Sequence, residues 1–246
     1  MPRKVIIDCD PGIDDAVALC MALLDPRLEV LAITAVAGNV TADQSTRNVQ
    51  ALIEQLDPPR YPRLGAASPT ESLAMVDNRS LYGEDGLGNV GLVSSKLARQ
   101  HPSEKLICDE VRAAPGEVTL ICLGPLTNIA AAITREPQLI SMLGRLVIMG
   151  GAVNGIGNAT SAAEFNIYYD PHSARQVFRS PTTKSLIPLD VTSQVTFSLD
   201  LLDQLPPESS RAGNLLRKTL PHLFRTYRRD LGQEGIQLPD AVALAA

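Results

Sequence analysis

Apolar and polar positions in this chain fall into blocks of two alternating kinds. Short apolar runs at residues 5–8, 30–36, 118–123, 146–149 and 185–189 read as strands. Between them lie helix-like stretches. Residues 16–24 are apolar all round, as in a buried helix, and Thr41 followed by Gln44 looks like a capping box opening a helix through Leu56. Residues 127–134 and 173–178 continue the alternation. Strand, helix, strand in this order predicts βαβ units: an α/β fold, Rossmann-like, with a mostly parallel central sheet and flanking helices. Residues 65–89, rich in Gly, Ser and Asp, read as a long loop suited to a lid. Residues 201–231 read as helices outside the sheet that lead back to Asp240. A single domain over residues 1–246 is expected. The pattern stops at Ala246 just after a helix opens, which predicts a domain incomplete at its C-terminal side.

Composition narrows the picture a little. The 246 residues are 45% hydrophobic and 20% charged, enough for a sizeable core. The 22 Lys and Arg against 27 Asp and Glu give a net charge of −5, which argues against nucleic acid or an anionic membrane as partner. No apolar run is long enough to span a bilayer, and Met1-Pro2-Arg3-Lys4 passes straight into a strand without the core of a secretory signal, so a cytoplasmic location is expected. Cys9, Cys20, Cys108 and Cys122 form no CxxC pair and read as reduced packing residues.

The first strand changes the picture more. Asp8, Asp10, Asp14 and Asp15 put four carboxylates within eight residues, with Pro11 and Gly12 turning the chain between them. These acids line the carboxyl end of a strand, where open α/β sheets bind ligands, and so many like charges call for a cation among them. Oxygen ligands suit Ca²⁺ or Mg²⁺. The pentapeptide Asp15-Ala16-Val17-Ala18-Leu19 recurs as Asp240-Ala241-Val242-Ala243-Leu244, so each copy opens a helix with an aspartate that the helix dipole favours. A helix start repeated by chance explains that echo equally well on spacing alone.

Asp8-Cys9-Asp10-Pro11-Gly12-Ile13-Asp14-Asp15-Ala16-Val17-Ala18-Leu19 resembles the N-terminal signature of the inosine-uridine-preferring nucleoside hydrolase family. Gly38-Asn39-Val40, Gly83-Glu84-Asp85-Gly86-Leu87-Gly88, Leu123-Gly124-Pro125-Leu126-Thr127-Asn128-Ile129, Met149-Gly150-Gly151, Ala163-Glu164-Phe165-Asn166-Ile167 and Asp240 follow in the family's order, so the resemblance covers essentially the whole chain. It implies hydrolysis of the N-glycosidic bond of a ribonucleoside, in nucleoside salvage, by a homo-oligomer. It implies Ca²⁺ held by Asp10, Asp15, Asp240 and the backbone carbonyl of Leu123, with Asp10 as the base that activates water. Asp14, Asn39, Asn158, Glu164 and Asn166 match positions that grip ribose hydroxyls, and Met149 one that packs against the sugar. Turn chemistry beside glycine is the structural alternative for Asn39 and Asn158, and plain core for Met149. Asp8 reads as a residue that orients the loop through hydrogen bonds.

The leaving-group side departs from the family pattern. Many relatives carry a histidine before the last metal aspartate, where this chain has Pro239, and His101, His172 and His222 match no leaving-group position. Tyr82 and Tyr227 remain, as hydrogen-bond donors to the base or as an aromatic wall against it. Two other readings compete. Asp8 and Asp10 after an apolar strand mimic the nucleophile loop of haloacid-dehalogenase-like phosphohydrolases, though the Ser or Thr and the lysine of that chemistry are not convincingly placed. Pro239 also allows a catalytically impaired nucleoside-binding homologue.

Overall fold

The computed structural model describes residues 2–69, 78–95 and 100–246. Among them, seven strands form one sheet: β1 (Arg3–Cys9), β2 (Leu28–Ala35), β3 (Arg63–Ala66), β4 (His101–Pro102), β5 (Thr119–Cys122), β6 (Arg145–Met149) and β7 (Lys184–Ile187). Their spatial order is β4-β3-β2-β1-β5-β6-β7 and every neighbouring pair is parallel. The chain builds outward from β1 in one direction, then returns to β1 and builds outward in the other. The reversal between β1 and β5 leaves a crevice at the carboxyl ends of the strands, where α/β sheets hold ligands.

Alternation along β1 explains both faces. Val5, Ile7 and Cys9 belong to one core with residues of the helices Ile13–Leu24, Ala42–Leu56, Arg211–Leu231 and Pro239–Ala245. Ile6 points the other way, into a core shared with the helices Ser103–Ala113, Thr127–Arg135 and Pro171–Arg179. A strand covered on both faces needs apolar residues at nearly every position, which is why it reads as a continuous apolar run. Ile6 and Ile7 are both fully buried, and each such side chain contributes about 1.5–3 kcal/mol. The helix Pro239–Ala245 packs on the helix Ile13–Leu24, so the two copies of the repeated pentapeptide are neighbours in space. All four cysteines are free and buried.

Several boundaries differ from the sequence reading. The first helix opens at Ile13, with Gly12 as its cap, so Asp15 lies within the first turn rather than at its opening, and Asp240 follows Pro239. Thr41 does cap the helix Ala42–Leu56, its hydroxyl accepting from the Gln44 amide. Residues 65–89 are not one loop: they include the end of β3 and the short helix Arg79–Tyr82, and much of the lid assigned to them falls on residues 70–77, outside the described residues. No described helix is long and apolar enough to cross a membrane.

Candidate active site

The site begins where β1 ends. Asp10 follows the last strand residue, Pro11 and extended Gly12 turn the chain, and Gly12 N donates to Asp15 Oδ2 at 2.8 Å, which folds the acidic segment back on itself. Asp10 is fixed from the side: its Oδ2 accepts from Asn39 N at 2.7 Å. Two glycines make room for it, one past the end of β2 and one past the end of β5. A Cβ on Gly38 would stand 2.0 Å from Asp10 Oδ2, and one on Gly124 would stand 2.5 Å from Asp10 Oδ1. The carboxylate is thus slotted between the neighbours of its own strand. Gly38→Ala is expected to leave the fold intact and displace that carboxylate; if Asp10 is the base that the resemblance implies, kcat/KM falls by about 100-fold, since a shift near 1 Å at a reacting group costs about that much. A circular dichroism spectrum beside a turnover assay checks it, and wild-type turnover in that variant would show that the slot is not needed.

Asp8 has a different place. It is fully buried, and its Oδ1 accepts from Thr34 Oγ1 at 2.6 Å and from Asn128 Nδ2 at 2.8 Å. Burial pushes its pKa up to about 7 against these hydrogen bonds. It is not among the residues lining the cleft described below, so it braces β1 against β2 and the helix Thr127–Arg135 and is not placed to attack a substrate.

Asp14, Asp15 and Asp240 each offer a carboxylate oxygen within 4.8 Å of the others, close enough together to hold a metal ion. Asp10 stands beside this trio. Burial, and then the charge of Asp15, push Asp10 well above the usual carboxylate range, while the Asn39 amide pulls the other way. Burial and the charges of Asp14, Asp15 and Asp10 do the same to Asp240. Burial raises Asp15 to about 8, with the charge of Asp14 adding to it. Burial also raises Asp14. Asp14 Oδ1 and Asp15 Oδ1 are buried without a hydrogen-bond partner. Unpaired buried carboxylate oxygens are costly, and nearby carboxylates ionise together only around positive charge. The donor set therefore fits a hard divalent cation with oxygen ligands.

Above the acids lies an open cleft of about 530 Å³. Asp10, Asp14, Asn39, Met149, Asn158, Glu164, Asn166, Asp240 and Leu123 all line it, as does Tyr82; Asp15 sits beneath it. Glu164 caps the helix Phe165–Tyr169, its Oε1 accepting from Asn166 N and its Oε2 from Ile167 N and Gly151 N. Asn166 Nδ2 donates to the Leu123 carbonyl at 2.7 Å, so the oxygen that the sequence reading offers to a metal also orients a cleft amide. Asn158 Oδ1 accepts from Phe165 N at 2.7 Å.

The far wall carries Tyr82, buried, with its phenol pushed up by burial and by the Asp14 charge. Tyr227 is buried behind the lining, where burial raises it to about 12. Pro239 lines the cleft and none of the three histidines does. Tyr82 is carried by the Gly83–Gly88 motif. There Asp85 Oδ1 accepts from Leu87 N and Asn89 N, and Gly88 N donates to the Tyr82 carbonyl. Asn48 ties this knot to the acidic turn, donating to Asp85 O at 2.7 Å and Pro11 O at 3.3 Å. Sequence reasoning missed Asn48 and also Asn78, a cleft residue that donates to Asn39 Oδ1 at 2.7 Å. Neither lies in a motif: Asn48 is in the middle of the helix Ala42–Leu56 and Asn78 precedes the short helix Arg79–Tyr82, so neither position carries a local signal.

Known proteins resemble this chain along its length. A family model described as inosine-uridine preferring nucleoside hydrolase matches residues 5–246. The chain is 36% identical over 245 residues, 98% of its length and 77% of the relative's, to a protein of Escherichia coli (strain K12 / DH10B) named pyrimidine-specific ribonucleoside hydrolase RihB. Among solved structures it is similar to a plant nucleoside hydrolase, the PpNRh1 enzyme, with TM-score 0.94, 33% identity, and coverage of 100% of this chain and 78% of that one. It is also similar to a purine-preferring ribonucleoside hydrolase from Gardnerella vaginalis, with TM-score 0.92, 30% identity, and coverage of 99% and 79%.

Proposed function

The chain belongs to the inosine-uridine preferring nucleoside hydrolase family, and from that premise we propose that it hydrolyses the N-glycosidic bond of ribonucleosides to free base and ribose. The observation that carries this reading is the buried acidic trio, with Asp10 beside it, under a cleft lined by amides and carboxylates. Asp10, Asp15, Asp240 and the Leu123 carbonyl would hold Ca²⁺. Asp14 belongs to the tightest trio and faces both the ion and the sugar. When bound, such an ion polarises water and neutralises the clustered carboxylates.

Asp10 takes the proton from the attacking water. The Asn39 amide fixes Asp10 Oδ2, the oxygen that is not receiving the proton. Asp14, Asn39, Asn158, Glu164 and Asn166 hold ribose hydroxyls, and Met149 packs against the ring. Glu164 already accepts three backbone amides, so it meets the sugar as a rigid carboxylate and favours positive charge developing there. Tyr82, whose hydroxyl already donates to the Asp14 carboxylate, faces the base as an aromatic wall. The named relatives include both pyrimidine-specific and purine-preferring enzymes, so sugar recognition is the part this chain most plainly shares with them.

A panel of uridine, cytidine, inosine and adenosine, assayed for reducing sugar with and without chelator, tests the reaction. Ribose release that stops with chelator is the expected result. No release from any of them sinks the proposal, and release that chelator leaves untouched removes the cation from it.

A further inference from the structure

The sugar-side wall of the cleft is made in part by residues 151–163, a segment without helix or strand between β6 and Glu164. Its tip is exposed, Val153 by 63% and Ile156 by 80%, so apolar burial does not hold it. A carboxylate gathers its first half, while the second half closes on itself, Gly157 N donating to the Ser161 carbonyl and Ala159 N and Thr160 N to the Ala163 carbonyl. Asp190, three residues past the end of β7, accepts from Val153 N at 2.8 Å through Oδ2 and from Asn154 N at 2.7 Å through Oδ1. The Val153 and Asn154 amides, with that of Gly155 adding to them, hold its pKa below the usual carboxylate range. The base of the segment is tied to the same strand end, since Leu189 N donates to the Gly151 carbonyl at 2.9 Å.

Four residues beyond Asn154, Asn158 enters the cleft and accepts from Phe165 N, next to Glu164. Glu164 in turn accepts from Gly151 N at 2.9 Å. Two cleft groups thus hang on a segment whose first half is gathered by Asp190.

We propose that Asp190 is a positioning residue for the sugar side of the site: by collecting the Val153 and Asn154 amides it keeps Asn158 where a ribose hydroxyl meets it. This rests on the ribonucleoside reading above. Asp190 is absent from the cleft lining and acts only through the segment it holds. Without its carboxylate those amides turn to water and the segment samples many arrangements. Binding then weakens in proportion to the fraction of time the productive arrangement is present.

Asp190→Ala and Asp190→Asn in the full chain, with Ca²⁺ present, test this. If the freed segment is competent about one-tenth of the time, KM for uridine or inosine rises about tenfold in Asp190→Ala. Because the lost interaction serves ground state and transition state alike, kcat stays within about twofold. Ca²⁺ affinity is unchanged, Asp190→Asn falls between, and hydrogen exchange at the Phe165 amide speeds up because Asn158 no longer protects it. Unchanged KM together with unchanged Phe165 exchange in folded Asp190→Ala overturns the proposal. So does a loss of Ca²⁺ affinity that accounts for the rise in KM. If the unmodified chain cleaves no nucleoside, the hydrolase reading fails instead, and exchange at Phe165 still decides what Asp190 does.

Discussion

Asp10→Asn is expected to lower kcat by about 100- to 10,000-fold, the range over which a positioned general base acts. The substitution is nearly isosteric, so the amide fits the slot between Gly38 and Gly124 and can still accept from Asn39 N. What it loses is the ability to take a proton and one negative charge toward the proposed cation, so the assay is run at saturating Ca²⁺. KM is expected to change little, because the ribose contacts proposed above lie on Asp14, Asn39, Asn158, Glu164 and Asn166. Turnover and KM of the purified variant, with folding checked by thermal unfolding, decide the matter. Turnover close to that of the unmodified enzyme would move the proton-accepting role to another group.

Adding Ca²⁺ to chelator-treated protein is expected to raise its stability by about 3 kcal/mol at a hundredfold excess over Kd. For a chain of this size that is roughly 5–10 °C in Tm. The effect depends on pH in a direction the burial of the acids fixes. Asp10, Asp14, Asp15 and Asp240 all have folded-state pKa values raised above the unfolded carboxylate value of about 4, Asp15 to about 8. A raised acid contributes stability that is fully present below the unfolded pKa and is lost as pH rises through the folded one. The metal-free protein therefore loses stability from about pH 4 to about pH 8 on account of these groups. The cation favours their ionised form and removes that loss, so the gap between the two states widens toward pH 8. Thermal unfolding at pH 5 and pH 8, with Ca²⁺ or with chelator, measures it. An equal gap at both values, or none, would contradict a cation held by these carboxylates.

The strands covered on both faces were the legible ones. β1, β2, β5 and β6 carry apolar runs because helices cover them on either side, whereas the edge strand β7 is only half-buried and was legible from Leu186 and Ile187. β3 and β4 were not legible: β4 is two residues long, His101 and Pro102, and such an edge pairing has no period to read. The helix Ser103–Ala113 buries Leu106, Ile107 and Val111 at helical spacing, a signal that lies in the sequence between the illegible β4 and the legible β5. In the site, the acidic turn and Asp240 stood out because charge of one sign next to apolar runs is itself a signal. Gly38 and Gly124 lay within quoted motifs, yet the need for glycine there comes from the Asp10 side chain, which touches both only once β2, β1 and β5 are side by side. Thr34 and Asn128 likewise meet Asp8 only across strands. Contacts between positions far apart in the chain leave no local pattern.

The packing of the helix Pro239–Ala245 on the helix Ile13–Leu24 also bears on synthesis. Translation delivers Asp10, Asp14 and Asp15 among the first residues and Asp240 only after more than two hundred others, so a growing polypeptide exposes a self-repelling acidic tip through most of its elongation. If these acids hold a cation as proposed, its capture at full strength waits for that late segment.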